Sequence, residues 1–236
     1  MKMTEEQLDQ FLKQTSQGSV SPSELLSKFL EGPASASQES AIQSRIKRAA
    51  FPTEATLESY DWTRNPKSIR KETFLELASG QFIQRKENVA FVGASGLGKT
   101  HLIQAVGRKC CALGYRVRYE TSASLIETLN KARAIKALNP KVKKYCSYDL
   151  LVVDEFGFEK LERKEVPAAL SLLYKVSDGR NRRSSTAIIT NVNLKDWTDY
   201  LGDPPMTMAL LDRVIDQTNI ITFSGKTVRG PIEGQA

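Results

Sequence analysis

The sequence is poor in the residues that metal and redox chemistry need. It has one histidine, His101, so a histidine metal site or a Ser/His triad gains little support. Its three cysteines, Cys110, Cys111 and Cys146, show neither metal spacing nor a paired framework, which fits a reducing cytoplasm. Long apolar runs are missing too. The cleanest stretches, such as Leu150 to Val153, are strand-length, far short of the roughly 20 residues of a membrane span. Residues 1–10 carry Glu5, Glu6 and Asp9 and no apolar run, so no secretory signal is expected there. No internal repeat is visible. The 236 residues are 40% hydrophobic and 26% charged, which are globular values. One ordinary domain with an appendage, or two small domains, is expected in a soluble cytoplasmic protein with no membrane partner.

The net charge of +7 is unevenly placed. Residues 1–40 hold three basic and six acidic side chains, so the positive excess lies in the rest of the chain. A basic body suits a polyanionic partner such as nucleic acid, or else is a solvated surface rich in lysine. Leu8, Phe11 and Leu12 sit at helical spacing, and Ser21-Pro22-Ser23-Glu24 is a helix start ahead of Leu25, Leu26, Phe29 and Leu30. The small residues of 32–37 then break the helix, so a small helical N-terminal domain is expected over 1–40 and the main domain over 41–236. In the main domain a connector over 41–67 and a helix near 68–84 precede an alternation of strand and helix. Five strands are expected, at 88–92, 115–120, 149–154, 186–190 and 219–223, separated by helices near 99–113, 122–137, 164–177, 194–201 and 206–217. That order predicts an α/β fold with a parallel sheet covered on both faces.

Gly93-Ala94-Ser95-Gly96-Leu97-Gly98-Lys99-Thr100 matches the phosphate-loop pattern G-x-x-x-x-G-K-[ST], follows an apolar strand and opens a helix. Backbone N–H groups of such a loop turn inward around a phosphate chain, and the helix N-terminus adds to the attraction. Lys99 is expected to reach the β- and γ-phosphates of ATP and the Thr100 hydroxyl to ligate Mg2+, with His101 finishing the first helical turn. Leu150 to Glu155 is an apolar strand ending in two carboxylates, 55 positions after Lys99. Asp154 is expected to hold Mg2+ and Glu155 to orient or deprotonate the attacking water. Glu155 favours ATP hydrolysis over a kinase, which needs no water-activating carboxylate there. A polar group at the tip of the 186–190 strand is expected near the γ-phosphate, either Asn191 or Asn193. Arg213 on a late helix is either a finger supplied to a neighbouring subunit's ATP or half of an intrahelical pair with Asp216.

Several segments resemble one family. They are Arg48 to Pro52, Thr56-Leu57-Glu58, Gly93 to His101, Gly114 to Arg118, Asp149 to Gly157, and Gly202-Asp203-Pro204 with Leu211-Asp212-Arg213. Together they resemble the IstB family of AAA+ ATPases, helpers of insertion-sequence transposases and relatives of the DnaC helicase loaders. The resemblance runs over about residues 41–229. It implies an AAA+ P-loop sheet of order 5-1-4-3-2, no separate C-terminal lid, and hydrolysis at the interfaces of a homo-oligomeric ring or spiral. It also implies Arg213 as an arginine finger, a place for Phe51 and the segment to Trp62 beside the adenine, and assembly on duplex DNA that is presented to a transposase. A DnaC-like helicase loader would share every ATPase residue but prefer single strands. The strand-tip segment reads Thr190-Asn191-Val192-Asn193 where the family has Thr-Ser-Asn, and Gly225 to Arg229 lacks the family's Ser-Tyr.

Between Thr128 and Tyr148 there is no acidic residue, while Lys131, Arg133, Lys136, Lys141, Lys143 and Lys144 supply six positive charges. This stretch is the expected contact to the DNA backbone, with a salt slope of roughly −5. Arg180, Arg182 and Arg183 form a second basic cluster, and Arg45, Lys47 and Arg48 a third.

Overall fold

The computed structural model describes residues 37–63, 65, 68–156, 169–201, 203–225 and 227. The chain divides into two compact units, Met1–Ser44 and Arg45–Ala236. In the first, residues 37–44 are helical, with Gln43 Nε2 donating to Glu39 Oε1 at 2.7 Å. The helices expected within residues 1–36 lie outside the described residues, as do Gly157, the first residues of the helix expected at 164–177, Gly202, and 228–236.

The second unit is built on β1 (Asn88–Gly93), β2 (Val117–Thr121), β3 (Leu150–Phe156), β4 (Ser185–Thr190) and β5 (Thr218–Phe223). They form one parallel sheet in the order β2-β3-β4-β1-β5, the order anticipated above. Around it lie α1 (Lys71–Ala78), α2 (Gln81–Gln84), α3 (Lys99–Ala112), α4 (Ser122–Ala134), α5 (Leu138–Cys146), α6 (Ala169–Arg180), α7 (Trp197–Leu201) and α8 (Pro204–Ile215). The period-2 alternation of strand side chains splits the interior into two cores. Val89, Phe91, Leu150, Val152, Ala187 and Ile189 face one core with α1–α3. Leu151, Val153 and Ile188 face the other with α4–α8. Burial on both faces is why these strands read as continuous apolar runs.

Two helices differ from expectation for local reasons. The helix expected over 68–84 is broken in two at Gly80, whose φ of 74° ends α1 in the left-handed conformation. The stretch after residue 137, expected as loop, is the helix α5. Pro140 is tolerated because it falls in the first turn, where its missing N–H has no intrahelical partner to lose. Leu138, Val142 and Tyr145 pack inward at spacings of four and three, and Lys143 and Lys144 are left on the exposed side. The α8 start is capped conventionally, Asp203 accepting from the Met206 N–H at 3.2 Å ahead of a proline at the first position.

Candidate functional site

The C-terminal ends of β1, β3 and β4 converge on one cleft of about 450 Å3, lined by Ser95 to His101, Asp154, Glu155, Asn191 and, from the N-terminal connector, Ser59 to Asp61. The strand order explains the convergence. β4 lies between β1 and β3, and Thr190 is in register with both Val92 and Phe156. Residues just beyond that level on the three strands therefore form three neighbouring walls.

The loop after β1 needs glycine twice. A Cβ on Gly93 would collide with the Phe223 backbone of β5, and Gly98 has φ 84° with the Tyr60 ring 2.7 Å from where its Cβ would stand. Lys99 is buried, and its Nζ donates to the carbonyls of Gly93 at 2.6 Å and Ala94 at 2.7 Å. Thr100 is exposed to the cleft at the first turn of α3. His101 turns to the connector, its Nε2 lying 2.9 Å from the Thr56 carbonyl and 3.3 Å from Ser59 Oγ, with its ring against Tyr60.

Asp154 is 2% exposed and held from two sides. The Tyr119 hydroxyl of β2 donates to Oδ2 at 2.8 Å, and the Glu155 N–H donates to Oδ1 at 2.7 Å. Burial, reinforced by Asp154, pushes the Tyr119 phenol far above its ordinary value, so it stays a donor throughout the physiological range. Glu155 occupies a break in the β3–β4 register and has φ 57°, a left-handed conformation that costs a non-glycine residue about 1–3 kcal/mol. The Ser122 hydroxyl at the start of α4 donates to the Glu155 carbonyl at 3.0 Å. The kink turns the Glu155 side chain out of the sheet and into the cleft, where it is exposed beside the buried Asp154.

At the β4 tip the Thr190 hydroxyl accepts from Val192 N–H at 3.0 Å and donates to the Val192 carbonyl at 3.2 Å, closing a tight turn. Asn191 lines the cleft, whereas Asn193 lines a separate groove and precedes a short 3-10 helix over Leu194–Asp196, its backbone carbonyl accepting from the Asp196 N–H at 2.9 Å. Phe51, expected beside the adenine, does not line the cleft. Its half-buried ring packs against Gly107 of α3 and Tyr119 at the edge of the core, because Gly107 leaves the space for it. Tyr60 takes the outer position instead, edge-on to Trp62 at 4.8 Å.

Arg213 lies outside the cleft. Its Nε donates to Asp178 Oδ1 at 2.8 Å, and this partner raises the guanidinium further above its ordinary value. The alternative pairing with Asp216 is not formed, since Asp216 takes Arg182 through Nε and Nη2 at 2.8 and 3.3 Å. Of the basic residues, Arg180 is 1% exposed and serves as a bolt. It donates to the carbonyls of Tyr145, Tyr148 and Ser185 and to Thr186 Oγ1, and burial pushes it down to about 10. It is therefore removed from the surface cluster with Arg182 and Arg183. Arg45 is tied to the Cys111 carbonyl at 2.8 Å. On the α4–α5 hairpin, Lys131, Arg133, Lys136, Lys143 and Lys144 are exposed and Lys141 is half-buried. Lys131 pairs with Glu127 one turn before it at 2.6 Å, which offsets part of its charge.

The donor set suits Mg2+ beside a phosphate chain: a hydroxyl and a carboxylate in one cleft, oxygen ligands both, in the small number that ion uses when phosphates supply the rest. No group of three or more His, Cys, Asp and Glu residues able to hold a metal by themselves occurs among the described residues. No helix among them is long and apolar enough to cross a membrane.

Residues 2–235 match a family model described as IstB-like ATP-binding protein. The chain is 30% identical over 222 residues to the ATP-binding protein of insertion sequence IS21 from Pseudomonas aeruginosa, covering 94% of this chain and 82% of that one. It is 30% identical over 192 residues to that of IS232 from Bacillus thuringiensis subsp. berliner, covering 81% and 75%. Among solved structures, the DnaC helicase loader aligns with TM-score 0.55 and 17% identity over 72% of this chain and 97% of that one. The replication initiator DnaA bound to AMPPCP and single-stranded DNA aligns with TM-score 0.60 and 19% identity, over 75% of this chain and 52% of that one. The fold is thus that of the AAA+ P-loop proteins.

Proposed function

The chain belongs to the IstB-like ATP-binding proteins, and from that premise we propose that it is an ATP-hydrolysing, DNA-binding helper that assembles with copies of itself on duplex DNA in the cytoplasm and directs a transposase. The observation that carries the reading is the cleft itself, which gathers a phosphate loop, a buried carboxylate, an exposed carboxylate and a strand-tip amide within one cavity.

In this reading the amides from Gly93 to Thr100 cradle the polyphosphate of ATP. Lys99 exchanges the Gly93 and Ala94 carbonyls for phosphate oxygens. Thr100 and Asp154 would hold Mg2+, which supplies charge neutralisation on the β- and γ-phosphates. Glu155 accepts the proton of the attacking water or orients it, and Asn191 hydrogen-bonds the γ-phosphate or that water. The base lies toward Tyr60, beside His101. Arg213 acts on the ATP of an adjoining copy, a contribution of about 10³–10⁵ in rate where such fingers operate. The lysines of the α4–α5 hairpin meet the DNA backbone, giving affinity without sequence reading.

The test is binding of the purified chain to matched duplex and single strands, with and without a slowly hydrolysed ATP analogue, at two salt concentrations. Nucleotide-dependent, salt-sensitive binding that favours duplex is expected, and Glu155→Gln is expected to bind ATP and DNA yet lose hydrolysis by about 10²–10⁴. A preference for single strands would replace this reading with a DnaC-like helicase loader. Wild-type hydrolysis by Glu155→Gln would overturn the chemistry.

A further inference from the structure

Glu155 presents its carboxylate to the cleft from a backbone conformation that its own side chain disfavours, so something must hold it there. The direction of a side chain is set by the two peptide groups that flank its Cα, because together they fix φ and ψ. The peptide before Glu155 is held through its N–H, which donates to Asp154 Oδ1 at 2.7 Å. The peptide after it is held through its carbonyl, which accepts from the Ser122 hydroxyl at 3.0 Å. Asp154 lines the cleft and Ser122 does not. At φ 57° Glu155 lies in a region that a non-glycine residue keeps only where its surroundings over-determine it. Loss of either hold frees the backbone to relax toward the ordinary strand conformation, in which Asp154 and Glu155 point to opposite faces of the sheet.

Ser122 is a firm anchor for local reasons. It is buried as the first residue of α4, and the turn that carries it is fixed from both sides. Thr121 caps α4, its Oγ1 accepting from the Ser124 N–H at 3.2 Å. The buried Glu120 accepts from Ser124 Oγ through Oε2 at 2.9 Å. Its Oε1 accepts from Arg118 Nε and Nη2 at 2.9 and 2.7 Å and from the Tyr145 hydroxyl at 3.1 Å. A buried carboxylate with that many donors is costly to displace. Alternation along β2 divides the work. Tyr119 points to the sheet face of α1–α3 and holds Asp154, while Glu120 points to the face of α4 and α5 and holds the turn.

We infer that Ser122 is a positioning residue for hydrolysis, acting by holding Glu155 in the left-handed conformation that aims its carboxylate into the cleft. It meets neither the nucleotide nor the attacking water. The edge strand β2 and the turn that follows it thus govern both acids of β3 without lining the cleft. This rests on the hydrolytic reading under Proposed function, in which Glu155 handles the attacking water.

The test compares Ser122→Ala, Glu155→Gln and the double variant of the full chain, with ATP, Mg2+ and duplex DNA present. Phosphate release gives turnover, a fluorescent ATP analogue gives affinity, and the thermal transition verifies folding. Ser122→Ala is expected to lose turnover about tenfold, the effect of one hydrogen bond, while ATP affinity stays within about twofold of the wild type. Because Ser122 acts only through the Glu155 carboxylate, the double variant should turn over as slowly as Glu155→Gln and no slower. Glu120→Gln spares the Ser122 hydroxyl but loosens the turn beneath it, and should show the same split at about threefold. Wild-type turnover in Ser122→Ala overturns the inference, as does a loss carried equally into the Glu155→Gln background or matched by weaker ATP binding. Where Ser122→Ala does not fold, wild-type turnover in Glu120→Gln overturns it. Wild-type turnover in Glu155→Gln overturns the hydrolytic reading itself, so the two failures are distinguishable.

Discussion

Tyr119→Phe removes one hydroxyl and leaves the ring, so it isolates a single hydrogen bond to a buried carboxylate. Tyr119 is 8% exposed and Asp154 2%. The bond is 2.8 Å long, and the other carboxylate oxygen is already committed to the Glu155 N–H. A hydrogen bond to a charged group contributes about 1.5–3 kcal/mol, and little water reaches this one to replace it. For a chain of this size each kcal/mol moves the melting temperature by about 2–4 °C, so the variant is expected to melt roughly 3–12 °C below the wild type. Adding Mg2+ and a slowly hydrolysed ATP analogue should narrow that gap, because the cation then satisfies the carboxylate that the phenol no longer reaches. The assay is differential scanning calorimetry of both proteins with and without ligand. A variant that melts within a degree of the wild type would show that the bond adds no net stability. A gap unchanged by the ligand would show that Asp154 does not face the ion.

Three further outcomes are expected. Asp178→Asn weakens the contact that fixes the Arg213 guanidinium through Nε, so turnover by assembled protein should fall about tenfold; ATP affinity should hold and Asp178→Glu should recover part of the loss, whereas unchanged turnover refutes the positioning role. Replacing Lys141, Lys143 and Lys144 with alanine should flatten the salt slope of DNA binding by about 3, and Lys131→Ala should flatten it less, because Glu127 already pairs with Lys131; equal slopes would move the DNA contact elsewhere. Burial pushes the Cys110 thiol up to about 12 and the Cys111 thiol up to about 11, so alkylation at pH 8 should be slower in the folded chain than in urea by roughly 10³ at Cys110 and roughly 10² at Cys111. Mass spectrometry of timed samples measures it, and comparable rates would show that α3 opens readily.

What was legible in the sequence was what local chemistry dictates. Apolar runs such as Leu150 to Val153 are strands because both sheet faces are covered, and the glycines of the phosphate loop sit where a side chain would collide with Phe223 or Tyr60. Long-range placement was less legible. Pro140 and the surrounding lysines resemble a loop until Leu138, Val142 and Tyr145 are seen to share an inward face. Asn191 and Asn193 are equivalent in composition, and only the Thr190 turn assigns one to the cleft and the other to a neighbouring groove. Tyr119 gave one usable signal, since a tyrosine inside a buried strand needs a partner for its hydroxyl. Nothing local names that partner as Asp154, 35 residues away. Asp178 gave none, because its role depends on where α8 packs against α6.

The position of β4 explains why the acidic wall of the cleft, at the end of β3, stands one strand away from the phosphate loop. Were β3 beside β1, Asp154 would crowd the loop carbonyls that already hold Lys99. With β4 between them the carboxylates stand one strand further away, which leaves the width of a strand, roughly 4.8 Å, for a phosphate and a water. The register break at Val153/Phe156 then uses that space unevenly. Asp154 stays buried, where Tyr119 and the backbone hold it, while the left-handed Glu155 is turned outward. Two adjacent carboxylates would otherwise alternate to opposite faces of the sheet, as the period of a strand demands. The strain at Glu155 is therefore what brings both to one cavity, and Ser122, donating to the Glu155 carbonyl from the first residue of α4, is part of what holds it there.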